Sequence, residues 1–415
     1  MRYRFLHTSL AACMLIVTIQ VSAQQRQTTA FAITSSEKGN FNWTDVKQID
    51  LTTGTVTRSI FDAKQTNFTV YNARTGKEIK PVTQNGVTVT TNASMPVASL
   101  AAACAYDQRH NRLYYAPLFM NQLRYIDLDE KTPKFYYFDN EPFMQVTDAG
   151  NEANHVTRMV IGADGDGYAL SNDANHLIRF TTGKKPVITD LGALLDDASN
   201  GDKSVHAKLV AWGGDMIADA AGNLYMISAY RNVYKVNIQS RVAVWLAEIK
   251  GMPASFTTNG AVVDNEGNLI VSSANTAEGY YKVDMKSWSA TRINIEGTVF
   301  NASDLANGNL AFPNDKETVP LINRPIVRND KIGLYPNPIS TNLVYVSFKN
   351  NESGRYTIQL LDLNGKVITE KIAVVNAGGK VVPVAVESNL AKGPYMIKVL
   401  SNSKKPVFAD KLIIQ

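Results

Sequence analysis

Short apolar runs alternate with polar turns along most of the chain, and this spacing predicts β-strands rather than helices. One unit recurs: an apolar strand, a turn with Asp and Gly-Asn, a second apolar strand, and a third strand ending like Tyr-Lys-Val-Asp. The turn is clearest at 219–223 and 264–268, and residues 304–312 form a truncated fifth copy that begins at Asp304. The copies align at Leu113, Tyr168, Leu224, Leu269 and Leu310.

These spacings fit the blades of a β-propeller, each about 40 to 50 residues long, with two loop insertions. We therefore predict an all-β protein whose residues 24–313 form a five- or six-bladed propeller. Residues 31–36 and 46–51 resemble the later strands of a blade and lack a first strand, which residues 298–312 supply. The two ends are thus expected to close the ring together and remove two sheet edges. Residues 65–95, with turns at 73–76 and 84–86, predict an inserted hairpin outside the blade.

A second domain is expected at residues 331–415, after a linker at 314–330. Alternation at Val344, Val346 and Phe348 and in two later strands predicts a small β-sandwich. The segment resembles the type A C-terminal sorting domain of cargo of the type IX secretion system. The motif residues that carry this resemblance are Tyr335, Pro336, Asn337, Pro338, Asn364, Gly365, Lys366, Gly393, Tyr395 and Lys411.

The N-terminus predicts a secretory signal at residues 1–23. Arg2 and Arg4 precede an apolar core, and cleavage is expected between Ala23 and Gln24. An alternative lipoprotein box ends at Cys13, but cleavage there would leave a very short apolar core. No other run is apolar enough to predict a transmembrane span.

The sorting-domain resemblance implies passage through the periplasm to the outside, as a secreted or outer-membrane surface-attached protein. It also implies three partners: the type IX translocon, its sortase-like peptidase and surface lipopolysaccharide as a covalent anchor. The net charge of +5 lies in the sorting segments. Residues 24–330 hold 29 Lys and Arg against 32 Asp and Glu. This mildly acidic body argues against nucleic acid as a partner.

The sequence carries no catalytic signature and predicts no cofactor and no metal site. Asp164-Gly-Asp-Gly167 suggests calcium, but the same position elsewhere holds the hairpin turn of the repeat, which we favour. Cys104 lies in a small apolar strand and predicts a buried thiol.

Residues leading into first strands should converge at one mouth of the propeller channel. These candidate ligand-binding residues are His155, Arg158, His206, Lys208, Thr258, Asn259 and Asn301. Together they suit an anionic or sugar-like ligand, or they form the solvated mouth of a channel. The leading hypothesis is a secreted or surface binding module whose glycan or protein ligand is unknown. The alternative is a hydrolase or lyase acting on glycan or peptide at the channel mouth, because propellers host both kinds of function.

Overall fold

A computed structural model describes residues 26–312 and 331–415 of the chain, apart from short gaps. The gaps are 66–67, 81, 85–86, 90–94, 98–99, 130, 147, 184–185, 294–298, 340–341, 350–352, 363–366, 377–378, 388–389 and 405. The chain divides into two compact units, Met1–Lys316 and Glu317–Gln415. The predicted signal with its Ala23 and Gln24 cleavage site, and the predicted linker at 314–330, lie outside the described residues.

The first unit contains five mainly antiparallel sheets, which we call blades 1 to 5 and list from the axis outwards. Blade 1 contains Ala302–Ala306, Thr29–Thr34, Asp45–Asp50 and Val56–Phe61. Blade 2 contains Ala101–Asp107, Arg112–Pro117, Arg124–Asp127, Lys134–Tyr137 and Thr69–Asn72. Blade 3 contains Val156–Ile161, Gly167–Ser171, Leu177–Phe180 and Ile188–Asp190. Blade 4 contains Asp215–Ala218, Asn223–Ile227, Asn232–Asn237, Val242–Glu248 and Leu195–Asp196, and blade 5 contains Gly260–Val263, Leu269–Ser272, Tyr281–Asp284 and Ser289–Arg292.

The five innermost strands form a closed ring, because each one contacts the innermost strands of both neighbouring blades. The expected propeller is therefore confirmed, with five blades among the described residues. Blade 1 is built from both ends of the unit: Ala302–Ala306 pairs with Thr29–Thr34, with Phe31 opposite Ala306. This pairing confirms the expected ring closure, which leaves no open edge between the first and last blades.

Local sequence explains the recurring turns between the first two strands of a blade. The Asp219 carboxylate accepts hydrogen bonds from the Asn223 backbone N–H at 2.7 Å and from its side-chain amide at 2.8 Å. Asp264 accepts from the backbone N–H of Asn268 at 2.8 Å in the same way. The Asp to Asn pattern thus closes the turns of blades 4 and 5 through side-chain capping of backbone donors.

Apolar clusters fill the spaces between neighbouring blades. Between blades 1 and 2, the rings of Phe61 and Phe135 meet edge to face at 5.0 Å. Between blades 4 and 5, Tyr281 packs on Phe256 at 4.7 Å. Each sheet therefore buries both faces by radial stacking, which a single sheet could not do.

Two segments differ from the sequence expectation. Asp304 lies within the innermost strand Ala302–Ala306 rather than in a turn, because the second strand of blade 1 comes from the N-terminal end of the chain. The expected insert at 65–95 divides into two parts. Thr69–Asn72 pairs in parallel with Lys134–Tyr137 as the outermost strand of blade 2, where Tyr71 stacks on Tyr136 at 5.2 Å. A separate hairpin joins Val82–Gln84 to Val87–Val89.

Helical structure is slight in the described residues: an α-helix at Lys208–Ala211 and 3-10 turns at Glu152–Asn154 and Ala198–Asn200. None of the helices described has the length and apolar character needed to cross a membrane.

The second unit is a sandwich of two antiparallel sheets around one apolar core, as expected from its alternation. One sheet contains Ile332–Tyr335, Leu343–Phe348 and Lys380–Ala385. The other contains Val367–Val375, Gly354–Leu361, Gly393–Leu400 and Pro406–Ile414.

Candidate functional site

The innermost strands end together around the propeller axis, so they run in the same direction. We call the end of the ring where they begin the entry face and the opposite end the exit face. The entry face carries the connections between successive blades and those between the second and third strands of each blade. These connections are the loops in which the candidate site was expected.

At the axis, the ring brings together Asp215 of blade 4, Asp304 of blade 1 and Cys104 of blade 2. All three side chains are fully buried. Asp215 accepts hydrogen bonds from the backbone N–H groups of Met216 and Ala261, each at 2.6 Å. Asp304 Oδ2 accepts from the Cys104 N–H, whereas Asp304 Oδ1 has no donor among the described residues.

Burial governs the protonation of this cluster. It raises the pKa of Asp215 to about 7 and that of Asp304 well above its ordinary value, and the neighbouring Asp215 carboxylate raises the latter further. Burial thus favours the neutral form of these carboxyl groups, and a proton on one of them would supply the donor that Asp304 Oδ1 lacks. Burial also raises the pKa of the Cys104 thiol well above its ordinary value, so Cys104 is the buried, unreactive thiol expected from its strand.

Sequence reasoning missed this carboxyl pair. Asp215 begins the first strand Asp-Met-Ile-Ala, and Asp304 lies in the middle of the first strand Ala-Ser-Asp-Leu-Ala. The signal for this pair was a charged residue in a first strand, because the repeat mostly places small apolar residues there.

The axis has little free space. A gap of about 10 Å³ between the ends of the innermost strands has room for roughly one water molecule. The segment 307–312 then crosses the exit face. Its Asn307 side chain donates to the Val263 carbonyl at 2.8 Å, and the Ala311 N–H donates to the Ala218 carbonyl at 2.9 Å. This segment closes the exit end of the ring.

Of the predicted ligand-binding residues, Arg158 is fully buried. Its guanidinium donates to the carbonyls of Ser171 at 2.8 Å and Gly213 at 3.0 Å, and also to that of Ala211. Burial lowers its pKa to about 10, so the group stays charged at neutral pH. Arg158 therefore ties blade 3 to the segment that leads into blade 4.

Other predicted residues hold the entry loops to one another. His206 contacts the carbonyls of Asp173 at 2.8 Å and Leu194 at 3.2 Å. The Lys208 ammonium lies 2.6 Å from the Glu152 carboxylate. These contacts join the loop before blade 4 to the loops of blade 3.

The remaining three predicted residues also form hydrogen bonds that connect neighbouring loops. The Thr258 hydroxyl donates to the Ser228 carbonyl. The Asn259 side chain accepts from the Ala274 N–H at 3.0 Å, and the Asn301 amide donates to the carbonyls of Ala274 at 2.8 Å and Asn40 at 2.9 Å. All seven predicted residues thus belong to the entry side of the ring. Six of them use their polar groups in hydrogen bonds or ion pairs with neighbouring loops.

His155 is the exception. Its side chain is mostly buried, and its Nε2 atom has no hydrogen-bond partner among the described residues. Burial lowers its pKa, while a hydrogen bond to the Gly150 carbonyl and the carboxylates of Glu152 and Asp148 act in the opposite direction. The Phe119 ring covers the imidazole edge to face at 4.6 Å.

Exposed apolar side chains occur in four loops of the entry face. They are Phe41, Phe119, Leu209 and Tyr230, whose exposed fractions are 54%, 54%, 75% and 41%. Phe119 has a backbone φ of 61°, a left-handed conformation that bulky residues rarely adopt. Side chains of this kind, presented by loops on a rigid ring, suit contact with a partner.

The carboxylates of the turn considered for calcium accept hydrogen bonds from other side chains. Asp164 accepts from the Tyr168 hydroxyl at 2.7 Å, and Asp166 accepts from the Arg179 guanidinium at 2.6 Å. No group of three or more His, Cys, Asp and Glu side chains in the described parts of the chain is arranged to hold a metal ion.

In the second unit, Asn337 connects the start of the sandwich to its last strand. Its amide donates to the Lys411 carbonyl at 2.5 Å and its side-chain oxygen accepts from the Ile413 N–H at 2.9 Å. The peptide bonds before Pro336 and Pro338 are cis. Tyr335 stacks on Tyr345 with ring centroids 5.7 Å apart.

The later motif residues lie at the other end of the segment. The Tyr395 hydroxyl donates to the Ala391 carbonyl at 2.9 Å, and Gly393 begins the strand with φ 140°. Burial lowers the pKa of Lys411. The predicted turn residues Asn364, Gly365 and Lys366 lie outside the described residues.

Residues 333–415 match the family described as the secretion system C-terminal sorting domain. The search of curated proteins finds no match. Among solved structures, the chain is similar to PorZ, a surface component of the type IX secretion system of Porphyromonas gingivalis. The identity is 12%, coverage is 93% of this chain and 51% of PorZ, and the TM-score is 0.32. The chain therefore spans about half the length of PorZ.

It is also similar to virginiamycin B lyase from Staphylococcus aureus, at 11% identity, with coverage of 76% of this chain and 85% of the lyase and a TM-score of 0.32. A structure of a nidogen/laminin complex matches at 9% identity, with coverage of 67% of this chain and 97% of that chain and a TM-score of 0.34. Such identities concern fold alone, and the propeller assignment rests on the closed ring of five sheets.

Proposed function

Because the chain is a propeller protein with a type IX C-terminal sorting domain, exported to the cell surface or exterior, we propose that its propeller is a binding module. In this proposal the entry face contacts a macromolecular partner after export. The sorting domain engages the translocon and is removed by the sortase-like peptidase, which attaches the propeller to surface lipopolysaccharide.

The observation that carries the proposal is the exposure of Phe41, Phe119, Leu209 and Tyr230 in loops of one face. Aromatic and aliphatic anchors that lose water on contact supply most of the binding energy in protein interfaces. The loops that present them are held by buried ties such as Arg158 and Asn301, so they are ordered before contact. An ordered surface loses less conformational entropy on binding.

The axial carboxyl pair supports binding over the alternative, a hydrolase or lyase acting on glycan or peptide. Acid–base chemistry requires a substrate within hydrogen-bond reach of the ionisable group. Asp215 and Asp304 are fully buried, and the neighbouring gap holds roughly one water molecule. Their displaced pKa values are therefore better explained by a structural role at the axis.

Site-specific photo-crosslinking on living cells would test the proposal. A benzophenone amino acid placed at position 119 or 209 of the full chain should give a discrete crosslinked product at the surface of a type IX secreting bacterium. The matched control is position 265, because Asn265 is exposed in a turn on the exit face. Discrete products from position 265, with none from the entry face, would overturn the proposal.

A further inference from the structure

We propose that a cleft between blades 5 and 1 binds a phenol ring, brought either by a tyrosine side chain of a partner or by a small phenol. The cleft opens on the exit side of the ring, so this inference goes beyond the entry-face function. Its volume is about 220 Å³. That is roughly the space of seven water molecules at ~30 Å³ each, and therefore of one six-membered ring with its hydroxyl group.

The first argument is a tyrosine that blade 5 lacks. In blades 2, 3 and 4 the second strand places a tyrosine on the face towards the next blade, namely Tyr114, Tyr168 and Tyr225. The matching residue of blade 5 is Ile270, which faces blade 1 and lies opposite Lys282. Blade 5 therefore lacks the ring that the three preceding blades insert between themselves and their neighbours.

The tyrosines of blades 3 and 4 indicate how a phenol is held in such a gap. The Tyr168 hydroxyl donates to Asp164 at 2.7 Å, and the Tyr225 hydroxyl donates to Asp219 at 3.2 Å. Both carboxylates lie in the turn between the first and second strands of their blade. Asp264 lies in that turn of blade 5 and lines the cleft. A phenol that enters the cleft therefore meets the kind of acceptor that the repeat already uses for a phenol hydroxyl.

The second argument is the lining of the cleft. The side chains of Leu51 and Ile293 offer apolar contact for the ring. At the rim, the Lys282 ammonium lies 2.5 Å from Glu266 and 3.5 Å from Asp264. The Lys282 and Glu266 side chains are 41% and 64% exposed, so the cleft is open to solvent. Apolar walls beside carboxylate acceptors and a cation suit an aromatic ring that carries one hydroxyl donor.

The test is saturation-transfer difference NMR on the full chain at pH 7.5. The probes are p-cresol, acetyl-Gly-Tyr-Gly-amide and, as the control without a hydroxyl group, acetyl-Gly-Phe-Gly-amide. The two phenols should bind saturably, and the phenylalanine peptide should bind about tenfold more weakly, because it brings no donor to the carboxylates. Saturable binding of p-cresol without the tyrosine peptide identifies a small phenol as the ligand. No saturable binding of either phenol, or equal binding of the two peptides, would overturn the inference.

Two variants locate the binding. Ile270→Tyr gives blade 5 the residue of its neighbours and fills the cleft from within, with a hydroxyl that can reach Asp264. The variant should keep its melting temperature and lose p-cresol binding. Ile372→Tyr is the matched control, because it makes the same change at a side chain of the sorting domain that is 51% exposed, and it should bind p-cresol as before.

Thr291→Trp blocks the cleft independently. Thr291 lines the cleft from an exposed outer strand, where a larger side chain needs no space in the core. This variant should also lose p-cresol binding, with circular dichroism unchanged. Retained binding in either blocked variant would show that p-cresol occupies another site and would contradict the inference.

The cleft and the entry-face function are tested separately. Loss of crosslinking from positions 119 and 209 rejects the entry-face function and leaves p-cresol binding as it was measured. Failure of both phenols rejects the cleft and leaves the entry-face function standing. Asn265 lies at the rim of the cleft, so products from position 265 together with those from the entry face would support a tyrosine-bearing partner at the cleft.

Discussion

Asp215 and Asp304 are buried together at the axis of the propeller, where each raises or alters the pKa of the other, although they belong to blades that are not neighbours in the ring. Asp304 lies in the strand that closes the ring, and it also accepts a hydrogen bond from the Cys104 N–H of blade 2. Asp215 in turn accepts from the Ala261 N–H of blade 5, so the pair links four blades through buried hydrogen bonds. A contact of this kind is stabilising only while its donors and acceptors are matched.

The raised pKa of Asp215 predicts a stability that falls as pH rises. Burial raises the folded-state pKa of Asp215 to about 7, above the ordinary value near 3.9 of an unfolded chain. The folded state then binds more protons than the unfolded state between these values, so the contribution is full below pH 3.9 and is lost towards pH 7. The loss is at most about 1.4 kcal/mol per pH unit for one such group. Thermal melts at pH 5 and pH 8 should show a lower melting temperature at pH 8.

Asp304→Asn provides the matched variant for this prediction. The amide can donate to Asp215 permanently and still accept from Cys104, so the melting temperature should depend less on pH than in the unaltered chain. Asp197→Asn is the control, because Asp197 caps the Ser199 N–H in a surface loop, which lowers its pKa, so its loss should leave the profile between pH 5 and pH 8 as it was. An unchanged slope in Asp304→Asn would show that the Asp215–Asp304 pair does not set the pH dependence of stability.

Much of the fold follows from the sequence because local chemistry repeats. The capping of Asn223 by Asp219 and of Asn268 by Asp264 gives blades 4 and 5 the same turn, and that turn is visible as a pattern. Closure by the strand Ala302–Ala306 also follows, because the N-terminal segment lacks a first strand.

The remaining features depend on contacts between segments distant in sequence. Asp304 is followed by Asn307-Gly-Asn309, so it imitates the turn of the repeat, and only pairing with Thr29–Thr34 places it at the axis. The unpartnered Nε2 of His155 depends on how the 138–155 loop packs beneath Phe119. Its position before a first strand identified His155 as a candidate, but no sequence pattern distinguishes it from His206, whose two nitrogens contact carbonyls.

Arg158 should be one of the most sensitive positions for stability. Arg158→Met would leave the buried carbonyls of Ser171, Ala211 and Gly213 without their donor. Unsatisfied buried groups cost about 1 to 3 kcal/mol each before any relaxation, so a loss of several kcal/mol in the free energy of unfolding is expected. Urea denaturation measures it. Arg58→Met, at an exposed position of an outer strand, should change stability by less than about 0.5 kcal/mol, and a similar small effect at Arg158 would contradict the structural tie.

Ring closure can be tested by removing the strands that the N-terminal segment contributes. A chain that begins at residue 62 lacks Thr29–Thr34 and leaves Ala302–Ala306 without its pairing partner. It also exposes Phe135, which packs on Phe61. Unpaired edges and apolar faces favour association between chains, so size-exclusion chromatography should show aggregates. Removal of residues 331–415 is the control and should leave a monomeric propeller, whereas a soluble monomer lacking residues 26–61 would argue against closure.

We expect the sorting domain to act as an export signal that can be removed from this chain and transferred to another protein. Deleting residues 331–415 should leave the propeller in the periplasm, measured by cell fractionation and by protection from added protease. Attaching residues 331–415 to a periplasmic reporter should carry the reporter to the surface of a bacterium with a type IX system.

Asn337→Ala on that fusion breaks the bonds to the Lys411 carbonyl and the Ile413 N–H, which join the start of the sandwich to its last strand. We expect this variant to reduce surface delivery of the reporter. Full delivery by the variant would show that the motif acts without this contact, and delivery of the propeller without residues 331–415 would place the export signal elsewhere in the chain.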